Sequence, residues 1–262
     1  MDLNDLNREI KEINRDNEKT GIFRNRKPAV DYSEFRLNRI NEPQFAHIKL
    51  LAGWLVYFAL YFLTENLIPE SACHVIHCKL DDMIPFNEYF LLIYCFWYVL
   101  LVASLGYFFF YDIKSFKKLQ TFIMITQAIA MVIYIVYPSI QIGRPEVMPR
   151  DNFLCDLMAF IYAFDTPTGV CPSLHVAYSM GIASACCKSK RIPKGWKFFI
   201  VVSAILISIS VAFVKQHSVI DIVVAIPVGL VAENLVFRRT HEARLRLFKR
   251  KVKEVAVKGG KA

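Results

Sequence analysis

Apolar residues in this chain gather into long blocks separated by short polar stretches. Five blocks, at about 48–67, 87–111, 119–138, 195–214 and 217–237, each run for about twenty residues or slightly more. That is the length a helix needs to cross the roughly 30 Å of hydrocarbon in a bilayer. A sixth block at about 172–188 is diluted by Ser173, His175, Ser179 and Ser184. The stretch FLCDLMAFIYAF at 153–164 is apolar but too short to span, and is expected to lie in the interface or to re-enter. The pattern predicts an all-α polytopic membrane protein with six transmembrane helices and both termini cytoplasmic.

The polar stretches set the organisation. Residues 1–46 form a charged arm in which Leu3, Leu6, Ile10 and Ile13 recur at helical spacing. Such spacing suits an amphipathic surface helix, and the charge content suits a solvated arm equally well. Asn41-Glu42-Pro43 is expected to end the arm. Loops at 68–86 and 139–171 and a turn near 214–216 fall on the outer side; a tight basic turn at 112–118 and a loop at 188–197 fall inside. The expected division is therefore the arm at 1–46, a six-helix domain at 47–237 and a basic tail at 238–262. The arm lacks the apolar core of a cleavable signal peptide, so the first spanning helix is expected to act as an uncleaved insertion signal.

At 55% hydrophobic residues, with the apolar ones in blocks, the chain is too apolar for an ordinary soluble domain. Its net charge of +9 raises the possibility of nucleic-acid binding, but the distribution argues against it. Ten Lys and Arg lie at 1–49, three at 112–118, five at 188–197 and ten at 238–262, leaving only Lys79, Arg144, Arg150 and Lys215 on the outer side. This is the positive-inside bias of a plasma (inner) membrane protein. The tail from Arg238 to Lys261 could also meet anionic headgroups at the inner leaflet. The seven cysteines make no disulfide framework: Cys73 and Cys78 fall outside, where a disulfide is permitted, and Cys95, Cys186 and Cys187 read as apolar packers.

Three fragments carry candidate chemistry, and the topology puts all three at the outer face. In His217-Ser218-Val219-Ile220-Asp221, positions i and i+4 share a helix face, so Asp221 can hold one ring nitrogen of His217 and leave the other free as a nucleophile. The alternative is a helix-end pair that only orients the turn. In Pro172-Ser173-Leu174-His175, proline suits the first helical turn, free N–H groups and Ser173 offer an anion site, and His175 could act as general acid. A capped helix with a polar histidine facing a neighbour is the alternative here. Ser173 lacks the GxSxG surroundings of a serine hydrolase. Arg144-Pro145 adds a planar cation suited to phosphate. Together these predict phosphoryl transfer through a phosphohistidine.

Arg144-Pro145, Pro172-Ser173-Leu174-His175 and His217 with Asp221 resemble the three signature motifs of the type 2 phosphatidic acid phosphatase superfamily. The resemblance implies His217 as nucleophile, Asp221 as its partner, His175 as acid for the leaving group, Ser173 and Arg144 on phosphate oxygens, and no metal or other cofactor. Two departures stand out. Tyr137 occupies the position of a usual lysine, and Ser210-Val211 replaces a usual Ser-Arg. Lys215, two residues before His217, could substitute for one missing cation. In these details the chain looks more like the branch containing inositol phosphorylceramide synthases. Fewer cations suit a less charged diester.

The expected activity is therefore hydrolysis of a lipid-linked phosphate, with headgroup transfer to a lipid hydroxyl as one alternative. A non-catalytic lipid-phosphate binder or transporter is another. Cys73-His74-Val75-Ile76-His77-Cys78 with Asp81 and Asp82 offers zinc ligands, but adjacent ligands on one short segment close a tetrahedron poorly, and free thiols or a disulfide are expected instead. Asp165-Thr166-Pro167-Thr168 is expected to form a turn and helix entry, with lining of the pocket mouth as the alternative.

Overall fold

The computed structural model describes residues 28–238, and these are mostly helical. The main elements are α1 (Ala52–Leu67), α2 (Lys79–Met83), α3 (Phe90–Tyr111), α4 (Ile113–Val136), α5 (Phe153–Phe164), α6 (Leu174–Lys188), α7 (Lys194–Phe213) and α8 (Val219–Glu233). A tight helical turn, Ala46–Leu51, leads into α1, and a wider one, Asn234–Arg238, extends α8. Two short parallel strands, β1 (His74–Val75) and β2 (Ser139–Ile140), join the loops at 68–86 and 139–152.

Five helical stretches are long and apolar enough to cross a membrane: Ala46–Leu67, Phe90–Tyr111, Ile113–Val136, Lys194–Phe213 and Val219–Arg238. They turn large apolar side chains outward, among them Leu55, Phe62, Leu92, Val102, Val132 and Phe198. Such a continuous apolar exterior is untenable in water and natural in lipid. The α3 helix shows the division of labour: Leu91, Tyr94, Trp97, Leu101, Ser104 and Phe108 face inward at three- and four-residue steps, while Leu92, Val99 and Val102 face out.

The α6 helix, which covers the diluted sixth block, has 15 residues and so rises only about 22 Å. It packs against α4, α7 and α8. Because protein surrounds it, its buried Ser179 and Gly181 need not satisfy lipid. At Gly181 an added Cβ would lie 2.5 Å from a ring carbon of Phe122, so the close approach of α6 to α4 requires the missing side chain.

Two expectations change. The basic stretch 112–118 is no turn: Asp112 alone breaks the chain, and its carboxylate caps Ser115 N (3.2 Å), starting α4 at Ile113. Lysine is a good helix former, so the helix extends beyond its apolar block. The later part of the arm is also more than a solvated segment. Tyr32 donates to Phe109 O and bonds His47 Nε2 (both 2.8 Å), and Phe45 is fully buried. The Leu3–Ile13 pattern and all of the tail beyond Arg238 lie outside the described residues.

Candidate active site

The site forms where the ends of α1, α4, α6, α7 and α8 meet. Its foundation is the N-terminus of α8. Ser218 is the cap: its Oγ accepts from Ile220 N (3.1 Å), and Asp221 Oδ2 accepts from Ser218 N (2.9 Å), a reciprocal capping box. His217 therefore precedes the helix rather than belonging to it. Its Nδ1 still lies 3.3 Å from Asp221 Oδ2, so one carboxylate both caps the helix and holds the imidazole. That leaves Nε2 as the ring nitrogen free for chemistry. His217 is nearly buried and Asp221 wholly so.

His175 stands one residue inside α6, its ring centroid 5.5 Å from that of His217. Trp97 and Tyr94 pack against it at 4.2 and 4.7 Å between centroids. Ser173 stands at the N-cap position of α6 without a side-chain capping bond, and Pro172 precedes it rather than lying within the first turn. Ser173 N donates to Asp221 O (3.2 Å), which ties the two helix starts together. The buried Ser173 Oγ and His175 Nε2 have no hydrogen-bond partner among the described residues. Unspent capacity of this kind costs about 1–3 kcal/mol per group and points to something else being bound there. Cys171 lies beside Asp221, and burial with that negative charge pushes its thiol up to about 12, leaving it protonated and a poor nucleophile.

Arg144 reaches the same end but is already engaged. Its guanidinium donates to the carbonyls of Asp165 (2.6 Å) and Thr166 (3.1 Å) and to Gln216 Oε1, and it lies over the Tyr162 ring at 4.6 Å. A buried guanidinium needs such partners. Burial lowers its pKa, although Asp165 opposes the shift. As placed, Arg144 braces the loop at 162–166 and only Nε remains unpartnered.

Lys215 does not fill the role expected of it. Its ammonium donates to the carbonyls of Asp81 (2.8 Å) and Ile84 (2.5 Å), away from the cavity, from a backbone at φ 53°. The expected substitute cation is thus a strut for the C-terminal end of α2. The two positions lacking the usual cations are filled otherwise. Tyr137 stacks on His74 at 4.1 Å, and Val211 is fully buried.

Asp81 is a positioning residue that the sequence conceals, because the partners that matter for the site lie over 130 residues away. Its carboxylate accepts from Ser218 Oγ (2.6 Å) and Val219 N (2.8 Å), a second set of caps on α8, and from Cys78 N (2.7 Å) at the start of its own helix α2. Burial raises its pKa, but these hydrogen bonds outweigh burial and hold it below the usual carboxylate range. The proposed zinc ligands nearby have other roles: His77 pairs with Asp82 (3.0 Å), His74 stacks on Tyr137, and Cys73 and Cys78 are free thiols.

A cavity of about 630 Å³ opens from the two histidines between α1, α3 and α5. Its walls are largely aromatic, with Trp54, Tyr57, Trp97, Tyr98 and Phe160 among them. Asp165, Thr166 and Thr168 also line it, so this segment is part of the pocket wall rather than only a turn. The 165–171 loop is pinned to β2: Gln141 N donates to Pro167 O (2.9 Å), and Gly169, left-handed at φ 61°, donates to Ser139 O (2.8 Å). Burial raises the Asp165 pKa despite the opposing charge of Arg144.

No protein-family model, curated protein or solved structure matches this chain.

Proposed function

We propose that the chain is an integral membrane enzyme that cleaves lipid-linked phosphate esters through a phosphohistidine, in the manner of the type 2 phosphatidic acid phosphatases that its motifs resemble. The observation that carries this reading is His217, held by Asp221 on one nitrogen and facing His175 at the polar end of an aromatic, membrane-level cavity. In this reading α6 is the sixth crossing, and the positive-inside bias puts the His217 end outside the cytoplasm of a plasma (inner) membrane.

The chemistry follows from the geometry. His217 Nε2 attacks phosphorus, forming a P–N bond while the bond to the leaving oxygen breaks. Protonated His175 gives its proton to that oxygen, and Asp221 stabilises the positive charge growing on His217. Water or a lipid hydroxyl then attacks phosphorus, the P–N bond breaks, and neutral His175 takes the acceptor's proton. Ser173 Oγ and the N-terminus of α6 supply hydrogen-bond donors to phosphate oxygens. No step needs a metal or another cofactor.

Headgroup transfer to a lipid hydroxyl is the second reading, favoured by the scarcity of cations: Tyr137 and Val211 fill two cationic positions and Lys215 faces the loop carbonyls. One experiment separates the readings. Purified full-length protein in nonionic detergent with chelator is given a panel of lipid phosphate monoesters and diesters, with free phosphate, water-soluble phospho-headgroup and new phospholipid measured in the same tubes. Free phosphate from a monoester, or free phospho-headgroup from a diester, made by wild type but not His217→Ala supports hydrolysis. New phospholipid without either of these supports transfer. Absence of all three products would contradict both enzymatic readings and leave lipid-phosphate binding or transport.

A further inference from the structure

A cavity built for a phosphate should present fixed positive charge, and no lysine or arginine is among the described residues lining this one. Outside histidine, the only acidic or basic side chain in that lining is Asp165. Arg144 is bound up with loop carbonyls and Lys215 with the carbonyls of Asp81 and Ile84. A second carboxylate, Glu65, stands behind the wall and accepts from Thr166 Oγ1 at 2.6 Å. Tyr57, Tyr61 and Tyr98 line the same cavity as Asp165. Trp97 completes an aromatic wall on the way to His175.

A phosphate bound at His217 would share the cavity with Asp165 while the nearest guanidinium, Arg144, is held by loop carbonyls outside the lining, so a ligand that brings its own cation suits the site better. Aromatic faces attract organic cations through their quadrupoles, and a carboxylate among them strengthens the site. Two buried polar atoms on the same wall, His175 Nε2 and Gln216 Nε2, remain unpartnered and available to the phosphate.

We propose that the substrate is a zwitterionic phosphodiester lipid, whose headgroup ammonium sits against Asp165 among Tyr57, Tyr61 and Tyr98 while its phosphate meets His217. This rests on the phosphohistidine reading for turnover, but the ammonium subsite can be tested by binding alone. The two sources of such a headgroup, a primary amine or a quaternary ammonium, share the chemistry proposed.

The test uses full-length His217→Ala protein in nonionic detergent, so that nothing is consumed. Binding of dodecylphosphocholine, dodecylphosphoethanolamine and dodecyl phosphate is followed by the fluorescence of the cavity residues Trp54 and Trp97. Either zwitterion should bind at least about 10-fold more tightly than dodecyl phosphate. Adding Asp165→Asn should weaken the zwitterions and strengthen dodecyl phosphate, a crossing of preference that misfolding cannot mimic. Glu65→Gln should act in the same direction more weakly. Dodecyl phosphate binding as tightly as the zwitterions, or no ligand binding, would overturn the proposal on the starting protein alone, whatever the variants do. Parallel changes for all three ligands in a folded Asp165→Asn protein would also overturn it. The crossing without any wild-type turnover would remove the enzymatic reading and leave the subsite. Turnover of phosphatidic acid without the preference would do the reverse.

Discussion

The two ends of the helix bundle use polar side chains in opposite ways. At the basic end Lys188 pairs with Glu233 and donates to Ser184, Ser189 Oγ donates to Asp112 (3.0 Å), and Arg191 reaches Tyr111 O. The Lys188–Glu233 pair is open to solvent on both partners. At the other end Asp221 and Ser173 are wholly buried, His217 nearly so, and Ser173 Oγ, His175 Nε2 and Gln216 Nε2 stay unpartnered. Exposed pairs contribute little to stability, about 0–1 kcal/mol. Buried groups with unspent hydrogen-bonding capacity are costly, and their gathering around one cavity is the reason the ligand site is proposed there.

This contrast predicts how each end responds to substitution. Asp221→Asn keeps the shape of the side chain but presents an amide where His217 needs an acceptor, so turnover should fall by about 10⁴-fold. Steady-state kinetics on detergent-purified protein checks this, and a loss below tenfold would make Asp221 only a helix cap. His175→Ala should cost about 10²- to 10⁴-fold with an alkyl leaving group and far less with a nitrophenyl one. Equal losses on both substrates would deny it the acid role.

Stability should shift more at Asp81 than anywhere on the basic end. Asp81→Asn weakens the carboxylate that caps α8 and should destabilise by about 1–3 kcal/mol in thermal melts at neutral pH. Its folded pKa lies below the unfolded value of about 3.9, so its contribution is complete above that value and is lost as pH falls through the folded pKa. The gap between wild type and variant should therefore begin to narrow as pH falls below about 4 and close below the folded pKa, and a gap that did not narrow with acid would contradict the assignment. The smallest effect belongs to Lys188→Met: under about 1 kcal/mol, with turnover unchanged. A large activity loss there would mean that the two ends are coupled.

Five of the six expected spans were legible as long apolar helices, because a block of apolar residues is a local signal that lipid demands. The start of α4 was not, since Lys114, Lys117 and Lys118 look like a turn until Asp112 is recognised as a cap. His217 and Asp221 were legible from a spacing of four, and the spacing survives even though His217 sits outside the helix. Arg144 was legible as a neighbour of the site, but its carbonyl partners belong to a loop about twenty residues on. Asp81, Glu65 and Asp165 were the hardest to place. Each gains its meaning from chain segments brought together only by the fold, and nothing in the local pattern distinguishes a capping or pocket carboxylate from a solvated one.

The central claim is a covalent phosphorus–nitrogen bond at His217. The direct measurement is rapid mixing of full-length protein with substrate, quenching in base to preserve phosphohistidine, and mass spectrometry of the peptide carrying residue 217. The account predicts a phosphoryl or phospho-headgroup adduct on His217 that forms within one turnover and is missing from His217→Ala. Turnover that continues in His217→Ala, or an adduct on any other residue, would contradict it.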